Sequence, residues 1–130
     1  GTSHGAYKFK GKSELNFEIL EEIKDLVPIP LVLHGASEVS TELVNKANKY
    51  GAKIANAHGV SRLNIRSAIK KGITKVNTDT DLRIAFDYGV RKFLQLNPTN
   101  FDYRKIISAG REEIESVVED KIRLFGCRNK

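Results

Sequence analysis

The sequence predicts an α/β fold in which short parallel strands alternate with helices. The run LVLH at 31–34 has the composition of a strand buried in a parallel sheet, and ITKVN at 73–77 predicts a second strand. Helical segments lie on both sides of each run. Polar, glycine-bearing loops come before three of the helices, which places them at the carboxyl ends of strands, where such folds keep their functional sites.

The first half of the chain predicts one helix on each side of the first strand. Apolar residues recur at helical spacing from Leu15 to Leu26, and Pro28 and Pro30 end that helix before the strand begins. The next helix is capped by Ser40 or Thr41 and stops at Gly51. The apolar residues that line its inward face are Leu43, Val44, Ala47 and Tyr50.

The second half predicts three more helices. Ser61 caps a short helix that stops at Gly72, and a long helix follows the second strand. The inward residues of the long helix are predicted to be Leu82, Ala85, Phe86, Gly89, Val90 and Phe93. The segment NPTNFD breaks this helix, and a final helix is predicted after Ser108. Residues 51–59 have no clear period and are interpreted as a surface excursion.

Charge and composition favour a small anionic ligand over nucleic acid or membrane. The net charge is +6, but the basic residues stand singly and in pairs among acids, without an aromatic and basic ladder. No apolar stretch approaches the ~20 residues that cross a bilayer. A single cysteine, Cys127, fits a reducing compartment, so a cytoplasmic location is predicted. The chain lacks methionine and starts at Gly1 within a motif, so we expect a piece of a longer polypeptide.

Two histidines in matching contexts are candidate metal ligands. His4 and His34 each precede Gly-Ala and lie 30 residues apart, about one strand-plus-helix unit. Equivalent ends of neighbouring barrel strands point at a common centre, so two such imidazoles could share one Zn²⁺. The alternative is that each imidazole only binds a carbonyl in a packed loop. His58 lacks the His-Gly-Ala context and is expected to face solvent.

Three loops are candidate phosphate-binding loops. They carry Gly5, then Gly35 with Ser37, then the run from Asn77 to Thr80. Glycine permits close backbone approach, and loop amides at helix N-termini attract phosphate. Each of these residues could alternatively be an ordinary cap or turn residue. Three such loops on one rim favour the phosphate site.

Four segments resemble the class II fructose-1,6-bisphosphate aldolases. They are GTSHGAYKFKG, PLVLHGAS, KVNTDTDLRIAF and the late FDYRK with AGREEIESVVEDKIRLFG, and together they span essentially the whole chain in order. The resemblance implies the C-terminal portion of a (β/α)8 TIM barrel: the loop after strand 6, strands 7 and 8, and the C-terminal helices. Residues 1–130 would then be part of a single domain whose N-terminal part is absent from this chain.

The resemblance also implies roles for individual residues. His4 and His34 match two of the three histidines that hold the catalytic zinc. Gly5 matches a contact of the substrate phosphate and of a monovalent cation, Na⁺ or K⁺. Arg104 matches an arginine that reaches the far phosphate of a neighbouring subunit's substrate. The remaining substrate-binding matches are Gly35, Ala36 and Ser37 in one phosphate loop, and Asn77, Thr78, Asp79 and Thr80 in the last, where Asn77 touches the enediolate end of dihydroxyacetone phosphate.

The implied activity is zinc-dependent, reversible cleavage of fructose 1,6-bisphosphate to dihydroxyacetone phosphate and glyceraldehyde 3-phosphate by a homodimer or homotetramer. No general acid or base is assigned within the chain, so the chain alone is expected to be inactive. Three alternatives remain: a tagatose-bisphosphate aldolase of the same family, a non-catalytic sugar-phosphate-binding module, and, less consistent with the motifs, a basic nucleic-acid-binding domain. Sugar-phosphate binding that survives chelation would indicate the binding module.

Overall fold

The computed structural model describes residues 15–55 and 57–128 and divides the chain into two compact units. The described part of the first unit is 15–38 and 58–78, and that of the second is 39–55, 57 and 79–128. His4 and Gly5 lie outside the described residues. The elements in chain order are α1 (Phe17–Leu26), β1 (Leu31–Leu33), α2 (Thr41–Lys49), α3 (Arg62–Lys70), β2 (Ile73–Val76), α4 (Thr80–Leu96) and α5 (Tyr103–Phe125).

The two predicted strands form a parallel pair in the first unit. Leu31 pairs with Ile73, but Val32 pairs with Lys75, so the register shifts by one residue between them. The hydroxyl of Thr74, the residue that the shift skips, donates to the carbonyl oxygen of Leu31 at 3.0 Å. The described part of the chain is mostly helical with this small parallel sheet, as an α/β fragment should be; a closed barrel is not part of it.

A small core holds the first unit together. Ser61 caps α3 as predicted, because its hydroxyl accepts the N–H of Asn64 at 3.2 Å. The buried apolar residues of this unit are Leu33, Ala36, Val60, Ile65, Ala68 and Ile73. In contrast, α1 buries no residue and leaves Leu26 78% exposed. The apolar face of α1 is therefore only partly covered by the described residues.

The second unit packs α4 against α2 and α5. Its core cluster consists of Val39, Ala47, Ala52, Ile84 and Tyr88. Ser40 caps α2, as predicted, by accepting the N–H of Leu43 at 3.2 Å. No helix in 15–55 or 57–128 is both long and apolar enough to cross a membrane.

The inward face of α4 differs from the prediction. Ala85 and Gly89 are buried as expected, but Phe86 is 37% exposed, whereas Ile84 and Tyr88 are buried. The prediction assumed one apolar stripe. Because α4 is covered by α2 as well as by α5, a wider arc of its surface is buried and the helical period no longer marks a single face.

The start of the last helix was also predicted wrongly. It begins at Tyr103, not after Ser108, because the carboxylate of Asp102 accepts the N–H of Arg104 at 3.0 Å and caps the helix earlier. The segment NPTNFD does break the chain between α4 and α5, but its final aspartate also starts α5.

The interpretation of residues 51–59 as a surface excursion was only partly right. Ala52 is 3% exposed and belongs to the core of the second unit. Its neighbour Ile54 is held through both backbone groups, since its N–H donates to Oδ1 of Asn48 at 2.8 Å and its carbonyl accepts from Nδ2 at 3.0 Å. A side-chain amide thus replaces regular backbone pairing, and a segment without helical or strand period is anchored. His58 is exposed, as expected.

Candidate functional site

The carboxyl ends of β1 and β2 bring His34 and Asn77 together. The backbone N–H of Asn77 donates to the carbonyl oxygen of Leu33 at 3.0 Å, which extends the parallel pairing by one step beyond β2. The side-chain amide nitrogen of Asn77 then lies 2.8 Å from Nδ1 of the exposed His34. Because a neutral imidazole has one donor and one acceptor nitrogen, this contact both orients the ring and selects its tautomer.

The loop after β1 turns sharply at Gly35. Its φ of +63° lies in the left-handed region, where a side chain would cost about 1–2 kcal/mol, so glycine suits the position. The next residue, Ala36, is 1% exposed and packs its methyl group inward. A ligand at this loop would therefore meet backbone groups and the Ser37 side chain, as a glycine-bearing anion loop requires.

Thr78 offers a polar group that still needs a partner. Its hydroxyl oxygen is buried and, among residues 15–55 and 57–128, has no hydrogen-bond partner. Buried hydroxyls are normally bonded, so such an atom points to a water or a ligand at that position. Thr78 directly follows Asn77, and both belong to the first unit together with His34, Gly35 and Ser37.

Asp79 and Thr80 belong to the second unit and start α4. The Asp79 carboxylate accepts from Nε of Arg83 at 2.9 Å and makes no capping bond to its own helix. Its side chain is 69% exposed. Thr80 is the first residue of α4, where backbone N–H groups of a helix end favour an anion.

Arg104 lies at the start of α5. It forms a bidentate ion pair with Asp102, in which Nε donates a hydrogen bond to Oδ1 and Nη2 donates one to Oδ2, each at 3.0 Å. The side-chain hydrogen bond from Arg104, and then its backbone N–H, hold the pKa of Asp102 below its ordinary value. The same pair raises the pKa of Arg104. The exposed guanidinium borders an open groove of about 300 Å³ on the surface of the second unit, lined by Phe93, Arg104, Lys105, Ser108, Ala109 and Glu112.

The described residues do not form a metal site by themselves. Across 15–55 and 57–128 no group of three or more His, Cys, Asp or Glu side chains could hold a metal ion. His34 is the described member of the predicted ligand pair. Its exposed imidazole lies at a strand end, and Nδ2 of Asn77 donates to Nδ1, so Nε2 carries the proton in this arrangement. For zinc to bind at Nε2, the Asn77 amide would have to turn so that its oxygen accepts Nδ1–H, which is the outer contact that zinc sites use.

The sequence did not single out three residues that contact the loop after β1. The backbone N–H of Val60 donates to the carbonyl oxygen of Ser37 at 3.0 Å, and Nη1 of Arg62 lies 3.1 Å from Oε2 of Glu38. Gly59 lies against the same peptide. These contacts join positions more than 20 residues apart, and no local pattern in the sequence reports them.

Comparison with known proteins agrees with the motifs. The profile of the family described as "Fructose-bisphosphate aldolase class-II" matches residues 1–130. The chain is 49% identical over 126 residues to a fructose-bisphosphate aldolase of Thermus caldophilus, covering 97% of this chain and 41% of that protein. It is 45% identical over 130 residues to that of Helicobacter pylori J99, covering 100% of this chain and 42% of that one. It is 42% identical over 128 residues to that of Giardia intestinalis, covering 97% and 40%. The chain thus spans about two fifths of these relatives.

Proposed function

Because the chain belongs to the class II fructose-bisphosphate aldolase family, we propose that it supplies part of the active site of an enzyme that reversibly cleaves fructose 1,6-bisphosphate. The products are dihydroxyacetone phosphate and glyceraldehyde 3-phosphate. The observation that carries the proposal is the grouping, within the first unit, of His34, the Gly35 turn, Asn77 and Thr78 at the ends of two parallel strands. The buried hydroxyl of Thr78 has no hydrogen-bond partner in the part of the chain that the structure describes.

The parallel strands suit a (β/α)8 barrel. In this proposal β1 and β2 are barrel strands 7 and 8, and the candidate site lies at their carboxyl ends, where such barrels bind substrates. The chain would be one part of a single barrel domain. The other strands and the general acid and base would come from outside this sequence.

His4 and His34 would hold a zinc ion. When bound, zinc supplies Lewis acidity that polarises the ketose oxygens and stabilises the negative charge that develops as the C3–C4 bond breaks. The contribution of Asn77 is to keep the His34 ring in one orientation, and it is supported by the 2.8 Å contact between the two side chains. Fixed ring orientation lowers the entropy that a ligand set loses on binding metal.

The phosphate groups of the substrate would bind the loops. Backbone groups at Gly35, Ala36 and Ser37, together with Asn77 and the Thr78 hydroxyl as a donor, would take one phosphate within the first unit. The family resemblance adds Asp79 and Thr80 as further expected contacts. Gly5 would contact this phosphate and a monovalent cation. Arg104 would reach the second phosphate in a neighbouring subunit of a homodimer or homotetramer, where its planar guanidinium suits phosphate oxygens.

The test replaces His34 by alanine in the full-length enzyme that contains this sequence. We expect the bound zinc, measured by mass spectrometry of the purified protein, to fall well below one ion per chain, and cleavage activity to be lost. His58→Ala is the matched control, because His58 is also an exposed histidine of the first unit but is not part of the grouping. Normal zinc content and activity in His34→Ala would reject the ligand assignment. Phosphate binding without any cleavage, unchanged by chelation, would identify a binding module instead.

A further inference from the structure

We propose that Gly59, Val60 and Arg62 form a brace that positions the loop after β1, and that Gly59 is thereby a positioning residue for phosphate binding. The inference rests on the proposed function, because it assigns a purpose to contacts of the Gly35–Ser37 loop. The three brace residues and the loop all lie in the first unit. None of the three touches the proposed ligands; they act through the peptide that joins Ser37 to Glu38.

The position of Gly59 permits no side chain. A Cβ atom there would lie 2.0 Å from the carbonyl oxygen of Ser37 and 2.4 Å from that of Glu38. Gly59 is not among the glycines with positive φ, so its backbone is one that any residue adopts. The requirement for glycine therefore comes from space alone: the backbone of the brace lies directly against the backbone of the loop.

A hydrogen bond fixes the direction of the loop peptide. The N–H of Val60 donates to the carbonyl oxygen of Ser37 at 3.0 Å, and Val60 is fully buried. Because a trans peptide is planar, its C=O and N–H point in opposite directions. The carbonyl of Ser37 is held toward the brace, so the N–H of Glu38 is directed to the other side. The brace thus determines which backbone groups of the loop an anion meets.

An ion pair closes the brace. Nη1 of Arg62 lies 3.1 Å from Oε2 of Glu38, whose side chain is 11% exposed. Glu38 follows Ser37 directly, so its carboxylate would repel a phosphate at the loop. The guanidinium of Arg62 offsets that charge and holds the carboxylate on the brace side. Arg62 is the first residue of α3, and its backbone is fixed by the capped start of that helix.

The decisive variant is Gly59→Ala in the full-length enzyme. We expect the Kd of inorganic phosphate, measured by titration calorimetry, and the KM of fructose 1,6-bisphosphate to rise on the order of tenfold, while kcat falls much less. Hydrogen exchange at the Val60 amide should become faster, since the bond to Ser37 would be broken. The control is Gly89→Ala, which places a Cβ 2.3 Å from the carbonyl oxygen of Ala109 between α4 and α5. It should lower the Tm and leave the phosphate Kd unchanged.

Arg62→Met tests the same brace without steric strain. We expect the Kd of phosphate to rise about threefold, and this rise to disappear when Glu38→Gln is also present, because the uncompensated carboxylate is then gone. A Gly59→Ala enzyme that is folded and binds phosphate like the wild type would refute the brace alone. Equal weakening by Gly89→Ala would refute it too. A wild-type enzyme that neither binds phosphate nor cleaves the bisphosphate would overturn the proposed function as well.

Discussion

The carboxylate of Asp81 accepts a hydrogen bond from the backbone N–H of Val39 at 2.7 Å and so holds Val39 at the position just before the α2 cap. Val39 has a φ of +49°, which is unusual for a β-branched residue. Asp81 is 2% exposed, and its other oxygen lies 3.6 Å from Nζ of the buried Lys121 on α5. One carboxylate therefore ties the starts of α2 and α4 to the later part of α5.

Replacing Asp81 by Asn should destabilise the protein strongly. The amide oxygen can still accept from Val39, but the ammonium group of Lys121 loses a buried countercharge, a change that typically costs about 3 kcal/mol. Urea denaturation of the full-length protein measures the change in the free energy of unfolding. The control is Asp87→Asn, whose exposed pair with Arg91 one helical turn away should be worth about 0.5 kcal/mol. Similar losses in both variants would contradict the central role of Asp81.

At position 39 a glycine variant should be more stable than an alanine variant, which is the reverse of the order usually found. Both Val39→Ala and Val39→Gly remove the two buried γ-methyl groups, so their difference reports the backbone conformation together with the burial of one Cβ methyl group. At a φ of +49° an alanine is strained and a glycine is not, so the glycine variant should be more stable by about 1 kcal/mol. The same denaturation experiment measures it. An alanine variant at least as stable as the glycine variant would show that the left-handed conformation is not kept.

Asp102 should titrate below its ordinary pKa of 3.8, because the Arg104 side chain and then its backbone N–H stabilise the carboxylate. A lowered folded-state pKa means that this contribution to stability is complete above pH 3.8 and is lost as the pH falls through the lower, folded value. The α5 start should then fray at low pH. Carboxyl carbon NMR shifts follow the titration directly, and Arg104→Met should return the pKa toward the ordinary value. A midpoint that is the same in both proteins would argue against the pair.

Local signals predicted most of the elements. Ser40 and Ser61 cap helices as their spacing indicated, and the two strand segments do pair in parallel. Their carboxyl ends were expected to share a site, and His34 and Asn77 do meet there. These features depend on short-range chemistry or on the general geometry of parallel sheets, which a single sequence carries.

Features that depend on distant neighbours were missed. Gly59 looks like any loop glycine until the Ser37 carbonyl is placed beside it. The inward face of α4 was misjudged at Phe86 and Tyr88, since burial there depends on two packing partners. Asp102 was assigned to a break rather than to a cap, because aspartate serves equally well in both. The periodicity of the sequence does not report which backbone lies beside a loop glycine, how many helices cover another helix, or whether an aspartate caps a helix.

The single-residue shift between β1 and β2 decides which side chain His34 meets. Counted from the pair Leu31 and Ile73, an unshifted strand would set Val76 opposite His34, and the shift sets Asn77 there instead. Successive strand residues point to opposite faces of the sheet. A change of one residue in the pairing of β1 with β2 therefore replaces the Asn77 amide beside the His34 imidazole with the isopropyl group of Val76. Deleting Thr74, the residue that the shift skips, would make the pairing regular and keep Asn77 opposite His34, whereas a strand that kept Thr74 but paired without the shift would set Val76 there.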